Sequence, residues 1–319
     1  MSKKEDKRKA IFEKYRRNLN LLIDNGFITA QKDVYLCPIC LRPHKDIYET
    51  DPLTLEDAPP KSLGGKANTL TCKSCNSKAG HQIDNHLIER LREIDSANFL
   101  PSTETLVKLK FNGDTLQGRV SVAADGTITM YHATKTNNPQ KLDAAMKQLT
   151  GGMAVDIDFL KSRVIPEKLE YALLKTGYIM MFERFGYSLI LDKCFDLVRQ
   201  QLRNPEQRIY PEGFWFSPPY PKTMTGVYFI CDSGLESLLA LFNVDTGNTE
   251  RMFGTILSLP IHNPETVINK LNAKLNSEGQ FPLTLYPLEQ HNMKYLDDID
   301  NLRAMYEWIE KRRSQARVD

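Results

Sequence analysis

Long apolar runs are missing from this chain of 319 residues. The longest nearly uncharged apolar stretch, Tyr178–Phe182, is far shorter than the roughly 20 residues that a transmembrane helix needs. The Lys-rich start of the chain is not followed by the apolar segment that a secretory signal carries. We therefore expect a cytoplasmic protein that makes no contact with a membrane.

A charge excess of one sign is also missing, because 42 Lys and Arg stand against 40 Asp and Glu. A net charge near zero neither supports nor excludes nucleic acid as a partner, since the distribution of charge matters more than its sum. The basic excess lies at the front, where residues 1–19 carry a net charge of +5. That segment could lie along a phosphate backbone, or it could simply be a solvated helix face.

Internal repeats and low-complexity segments are absent too, and the 41% hydrophobic and 26% charged content is that of a globular protein. Helical spacing over residues 2–24 is followed by short strand-like runs and further helices, which predicts the α+β class. A change in composition near Pro101 indicates two domains. We predict a basic helix with a small zinc-bound module over 1–98, and a larger α+β domain over 99–319. Within the second, residues 166–203 predict two long helices broken near Gly186.

Cysteines are few, and four of the six fall in two close pairs, CPIC over 37–40 and CKSC over 72–75. A Cys-x-x-Cys turn presents two thiolates to one ion, and two such turns complete the tetrahedron of a structural zinc site. The sequence therefore predicts that Cys37, Cys40, Cys72 and Cys75 bind Zn²⁺.

The segment between the two pairs and just after them carries an ordered set of short motifs. They are Glu56-Asp57, Pro59-Pro60, Gly64-Gly65, Asn68-Thr69-Leu70 and Cys75-Asn76. This pattern resembles the HNH endonucleases, the ββα-metal or His-Me finger nucleases, in their zinc-stabilised form with two cysteine pairs. The resemblance covers about residues 35–90, a little over a quarter of the chain.

The resemblance implies a divalent-metal-dependent endonuclease that hydrolyses phosphodiester bonds of DNA, of the kind found in bacterial restriction and phage defence. By position in the motif, Glu56 and Asn76 would hold a catalytic Mg²⁺ or Mn²⁺, and Asn68 would orient the site. Hard cations of this kind prefer oxygen ligands, which these side chains offer.

The sequence departs from the family at Asp57, which stands where the family has its general-base histidine. An ordinary aspartate is a weak base at neutral pH. Asp57 could still act as the base if burial and Glu56 raise its pKa. It could instead bind the metal together with Glu56, in which case the base is a water, a metal hydroxide or another histidine such as His81. His81 lies five residues after Asn76. The alternative interpretation is that His81 has no catalytic role.

The third interpretation of Asp57 is that the site is degenerate and only binds. This gives the rival hypothesis of a catalytically silent zinc module that binds nucleic acid or a protein partner. A further hypothesis is an effector that stays inactive until the second domain senses a small ligand or a protein partner. It predicts activity from residues 1–98 alone.

Overall fold

The computed structural model describes residues 2–111, 113–132, 137–148, 150–279, 281–287 and 294–316. The helices in these ranges are α1 (Lys3–Asp24), α2 (Lys73–Ala79), α3 (Asn85–Ala97), α4 (Pro139–Gln148), α5 (Pro166–Phe185), α6 (Tyr187–Ile190), α7 (Asp196–Arg203), α8 (Pro264–Glu278) and α9 (Ile299–Ala316). The strands are β1 (Tyr35–Leu36), β2 (Pro43–His44), β3 (Leu53–Ala58), β4 (Lys66–Cys72), β5 (Thr103–Phe111), β6 (Asp114–Val122), β7 (Ile128–His132), β8 (Asp156–Phe159), β9 (Trp215–Phe216), β10 (Gly226–Ile230), β11 (Ser237–Asp245), β12 (Glu250–Ser258) and β13 (Leu285–Pro287). The chain therefore mixes helix and sheet, in agreement with the predicted α+β class.

Helix α1 begins where the sequence predicts. The Ser2 hydroxyl accepts a hydrogen bond from the Glu5 N–H, which satisfies one of the free donors of the first turn. Its buried side chains recur at helical spacing, and they are Ile11, Phe12, Tyr15, Asn18, Leu19 and Leu22. The helix is thus held by one apolar face, as amphipathic helices of globular proteins are.

The largest sheet is antiparallel, with the strand order β13-β10-β11-β12-β9. On one face, Leu239 and Leu241 of β11 pack with Val267 and Leu271 of α8. Ala240 points to the other face, where it lies near Gly177 of α5. Helix α5 is therefore a central element of this part of the molecule.

The prediction of a second long helix after Gly186 is wrong. The chain there forms α6, a 3₁₀ turn over Lys193–Phe195 and α7. The Asp192 carboxylate accepts a hydrogen bond from the Cys194 N–H at 2.9 Å. Such a local side-chain bond competes with continued helix, which accounts for the interruption.

The chain divides into two compact units. The first comprises Met1–Leu87, Pro166–Asp245 and Glu250–Asp319. Among the described residues no helix is both long and apolar enough to span a bilayer.

The second unit comprises Ile88–Ile165 and Thr246–Thr249. It contains an antiparallel sheet of order β7-β6-β5-β8. Its apolar side chains include Val107, Leu109 and Val120. The division drawn from the sequence at residue 98 stays a prediction.

Candidate functional site

The four paired cysteines come together. Cys37 and Cys40 lie in the turn between β1 and β2, while Cys72 ends β4 and Cys75 lies in the first turn of α2. Their sulfur atoms all lie within 4.8 Å of one another, and none of the four is in a disulfide. Four soft donors at this spacing fit a structural metal such as Zn²⁺, with no position left open. We call these residues the cysteine cluster.

Tyrosines from α5 and α6 hold the turn that carries Cys37 and Cys40. The Tyr178 hydroxyl donates to the Pro38 carbonyl at 2.6 Å. The Tyr187 hydroxyl donates to the Leu36 carbonyl at 2.7 Å and accepts from the Leu36 N–H at 2.8 Å. The turn of Cys37 and Cys40 is therefore fastened to tyrosines that lie 140 and 151 residues beyond their partners in the chain.

The hairpin β3–β4 presents the residues singled out by the sequence motif. Glu56 pairs with Thr69 and Asp57 with Ala67, so Asn68 is the extra residue of a β-bulge. A bulge changes the direction of nearby side chains, and it is often found beside functional sites. Glu56 is buried at 2% exposure, whereas Asp57 is half-buried and Asn68 is exposed.

The Gly64-Gly65 pair lies in the loop of this hairpin, between β3 and β4. Gly64 has a φ of +85° at the end of a short 3₁₀ turn, a conformation that favours glycine. A Cβ atom on Gly65 would lie 1.5 Å from the Pro59 carbonyl oxygen. The pair is thus explained by a tight loop.

Both carboxylate oxygens of Glu56 are engaged. Oε1 accepts from the Lys175 ammonium at 2.7 Å, and Oε2 accepts from the Thr71 hydroxyl at 2.7 Å. The same ammonium donates to Asp84 Oδ2 at 2.5 Å. Lys175 and Glu56 are 1% and 2% exposed. We call Lys175, Glu56 and Asp84 the ion triad.

The ion triad carries an unbalanced charge. Burial would lower the pKa of Lys175, but the charges of Asp84 and Glu56 outweigh it and raise that pKa. Burial raises the pKa of Asp84 to about 6, against the effect of Lys175. Asp84 Oδ1 is buried and has no hydrogen-bond partner. With both carboxyls ionised, the triad therefore has a net charge of −1.

Helix α2 continues into a π-helical segment over Gly80–Asp84 before α3 begins. A π segment changes the phase of a helix, and here Asp84 is its last residue. The segment also contains His81, which is exposed. Within the described residues, no hydrogen bond or ion pair joins His81 to Glu56, Asp57 or Asn76.

Asn76 lies beside β3. Its Nδ2 donates to the Leu55 carbonyl at 2.8 Å and to the Thr54 hydroxyl at 3.0 Å. The Asn76 amide thus braces the strand that carries Glu56. A divalent cation at Glu56 does not fit this arrangement, because the Lys175 ammonium already lies against that carboxylate and would repel it.

The charges of three exposed lysines, Lys7, Lys14 and Lys61, act on the carboxyls of Asp57 and Glu183, and we call these lysines the lysine surface. Burial and the charge of Glu56 raise the pKa of Asp57, while the charges of Lys61, Lys175 and Lys7 oppose this. Asn68 Nδ2 donates to Glu183 Oε2 at 3.4 Å. Burial raises the pKa of Glu183 to about 7, against the effects of Asn68, Lys14 and Lys7.

Sequence reasoning missed Lys175, Asp84 and Glu183. A signal for Lys175 is present, since it is a single charge inside the run YALLKTGYIMMF of α5. A lone charge in an apolar helix indicates a buried partner, because isolated buried charges are costly. The identity of that partner is not visible in the sequence.

Comparisons with family models, curated proteins and solved structures give no match to this chain.

Proposed function

We propose that this protein binds nucleic acid through its cysteine-cluster module, without a catalytic divalent metal at Glu56. The observation that carries the proposal is the lysine surface, in which helix α1 and the hairpin loop contribute cations whose charges act on Asp57 and Glu183. Lysines arranged in this way contact phosphates and release their counterions.

A neighbouring cavity extends the basic character. Its volume is about 860 Å³, and its charged lining residues are five cations and three carboxylates, namely Lys9, Lys14, Arg17, Arg184 and Lys294 with Glu13, Glu183 and Asp297. Lys14 belongs both to this cavity and to the lysine surface. A polyanion following the surface would therefore meet further cations there.

The ion triad supports binding over hydrolysis. A metal-dependent nuclease needs a cation to stabilise charge at the scissile phosphate. The carboxylate expected to hold that cation accepts hydrogen bonds from Lys175 and Thr71. One observation favours the competing endonuclease hypothesis. Burial and the charge of Glu56 raise the pKa of Asp57.

Binding is tested by fluorescence anisotropy with labelled duplex DNA, single-stranded DNA and RNA over a series of KCl concentrations. Replacing Lys7, Lys14 and Lys61 with alanine lowers the slope of log affinity against log salt by about 1 per lysine. Lys270→Ala, on the exposed side of α8, is the matched control and leaves the slope unchanged. Equal binding by the triple variant and the natural protein would reject the lysine surface.

Hydrolysis is tested on the same nucleic acids with Mg²⁺, Mn²⁺ or EDTA. We expect no metal-dependent cleavage. Cleavage that Glu56→Gln abolishes would overturn the proposal in favour of the endonuclease. Because Glu56 also bonds to Lys175 and Thr71, the unfolding of Glu56→Gln is measured beside its activity.

A further inference from the structure

The charges around Lys175 suggest a role beyond binding nucleic acid. Glu56 and Asp84 come from different elements, β3 and the π segment, yet each places an oxygen within hydrogen-bond distance of one nitrogen atom. The two N–O distances, 2.7 and 2.5 Å, approach the 2.3–2.6 Å at which Ca²⁺ binds carboxylate oxygens. The ammonium is therefore located where a hard cation shared by these oxygens would lie.

The charge balance points the same way. Two carboxylates and one ammonium leave a net charge of −1 in a buried place, whereas two carboxylates and one divalent cation are neutral. The unpartnered Asp84 Oδ1 adds an oxygen that Lys175 does not satisfy. The acidic groups thus offer more negative charge and more ligand atoms than a single ammonium uses.

We propose that Lys175 is the resident cation of this site, and that replacing it with a neutral side chain turns Glu56 and Asp84 into a binding site for a divalent cation. The ammonium on α5 then does two things. It neutralises part of the charge, and it keeps metal ions out of the site in the natural protein. This inference rests on the ion triad alone, so it can fail or succeed independently of nucleic-acid binding.

The test uses the full-length, zinc-loaded chain and Mn²⁺ as the probe, with free and bound Mn²⁺ measured by electron paramagnetic resonance. Lys175→Met keeps an unbranched side chain, one heavy atom shorter, and removes its charge. We expect this variant to bind one additional Mn²⁺ at least tenfold more tightly than the natural protein. Its melting temperature should rise on addition of Mn²⁺, because a ligand that binds only the folded state stabilises it.

Two variants serve as matched controls. Lys175→Arg keeps a cation in place and should gain no Mn²⁺ site. The variant with Glu56→Gln, Asp84→Asn and Lys175→Met has no carboxylate in the triad and should also gain none. Mn²⁺ binding by this last variant would place the metal elsewhere and overturn the inference, as would a folded Lys175→Met that binds no more Mn²⁺ than the natural protein.

Lys175→Met leaves two buried carboxyls without a cation, so it could fail to fold without metal. In that case refolding with and without Mn²⁺ becomes the measurement. Recovery of folded protein only with Mn²⁺ supports the inference. Failure to refold in both conditions, when the variant with all three substitutions refolds, contradicts it.

Discussion

Glu183 of α5 has one carboxyl oxygen 3.4 Å from the Asn68 amide nitrogen and another, Oε1, that is buried without a hydrogen-bond partner. Burial is the largest influence on this carboxyl and raises its pKa to about 7, while Lys14 and Lys7 act in the opposite direction. The proton of Glu183 is therefore held more tightly in the folded protein than in the unfolded chain.

We expect Glu183 to make the protein less stable as the pH rises. A carboxyl with a raised pKa favours folding at low pH, and this contribution is lost between its ordinary value of 4.5 and about 7. Replacing Glu183 with glutamine should remove that loss and raise the free energy of unfolding at pH 8 by up to about 3 kcal/mol, at about 1.4 kcal/mol per pKa unit.

Urea unfolding at pH 5 and pH 8 checks this expectation. Glu307→Gln, on an exposed position of α9, is the control and should leave the pH dependence unchanged. If Glu183→Gln follows the natural protein at both pH values, the burial of this carboxyl does not influence folding.

Helix α5 is buried around most of its circumference, and its sides meet different partners. Lys175 contacts Glu56, Tyr178 donates to the Pro38 carbonyl, and the Thr255 hydroxyl of β12 donates to the Leu173 carbonyl at 3.2 Å. A helix in this position is apolar almost all round, as buried helices are. Its neighbours therefore fix its position on several sides at once.

Gly177 allows α5 to approach the sheet closely. A Cβ atom there would lie 2.8 Å from Thr255 Cβ and 3.0 Å from Thr255 Cγ2. We expect Gly177→Ala to lower the free energy of unfolding by about 1–3 kcal/mol through overpacking, even though alanine favours helix.

Gly80→Ala is the matched control, because Gly80 has helical φ and ψ angles and no atom within 4 Å of the added Cβ. It should raise the free energy of unfolding by up to about 1 kcal/mol. Chemical denaturation of both variants shows whether each substitution lowers or raises the free energy of unfolding. Equal effects would mean that α5 does not pack on β12 as described.

The two cysteine turns join four short elements, β1, β2, β4 and α2. We expect Cys72→Ser to lose the bound zinc and to destabilise the protein by several kcal/mol, since metal binding and folding are coupled in such modules. Cys231→Ser, outside the cluster, should keep one zinc per chain and melt close to the natural protein. Zinc content by mass spectrometry and thermal melting give the comparison, and an unchanged zinc content in Cys72→Ser would reject the cluster as the site.

Particular residues show how much of the fold and of the candidate site could be predicted from the sequence. The helix after Ser2 and the pairing of cysteines within CPIC and within CKSC follow from local spacing, which a sequence displays directly. The contact of Lys175 with Glu56 joins positions 119 residues apart, and only the packing of α5 brings them together. Asp192 shows the same limit. Apolar periodicity predicts a continuous helix there, whereas the local hydrogen bond from the Cys194 N–H to Asp192 interrupts it.

The first unit combines the cysteine cluster with residues far along the chain. Glu56 bonds to Lys175, and the Pro38 carbonyl accepts from Tyr178. Lys175 and Tyr178 both follow residue 98 in the chain. We therefore expect residues 1–98, expressed alone with zinc, to lack the cooperative unfolding transition of the full chain. A buried carboxylate without its cation costs several kcal/mol.

Circular dichroism during heating compares this fragment with the full chain. A cooperative transition in the fragment would show that α5 is dispensable, and it would make the separate activity of residues 1–98 testable. Absence of a cooperative transition in the fragment would show that the core of the module needs residues from both sides of residue 98.

The distance along the chain between Cys75 and the end of α5 has a consequence for biosynthesis. A ribosome that adds about 5–20 residues per second needs roughly 5–20 s to make the 110 residues between Cys75 and Phe185. During that interval the nascent thiols can already take up zinc, while Glu56 and Asp84 remain without Lys175. Stalled chains that end before and after α5 should differ in resistance to protease. Until that helix emerges, the first half of the protein is a candidate client for chaperones that bind unfinished chains.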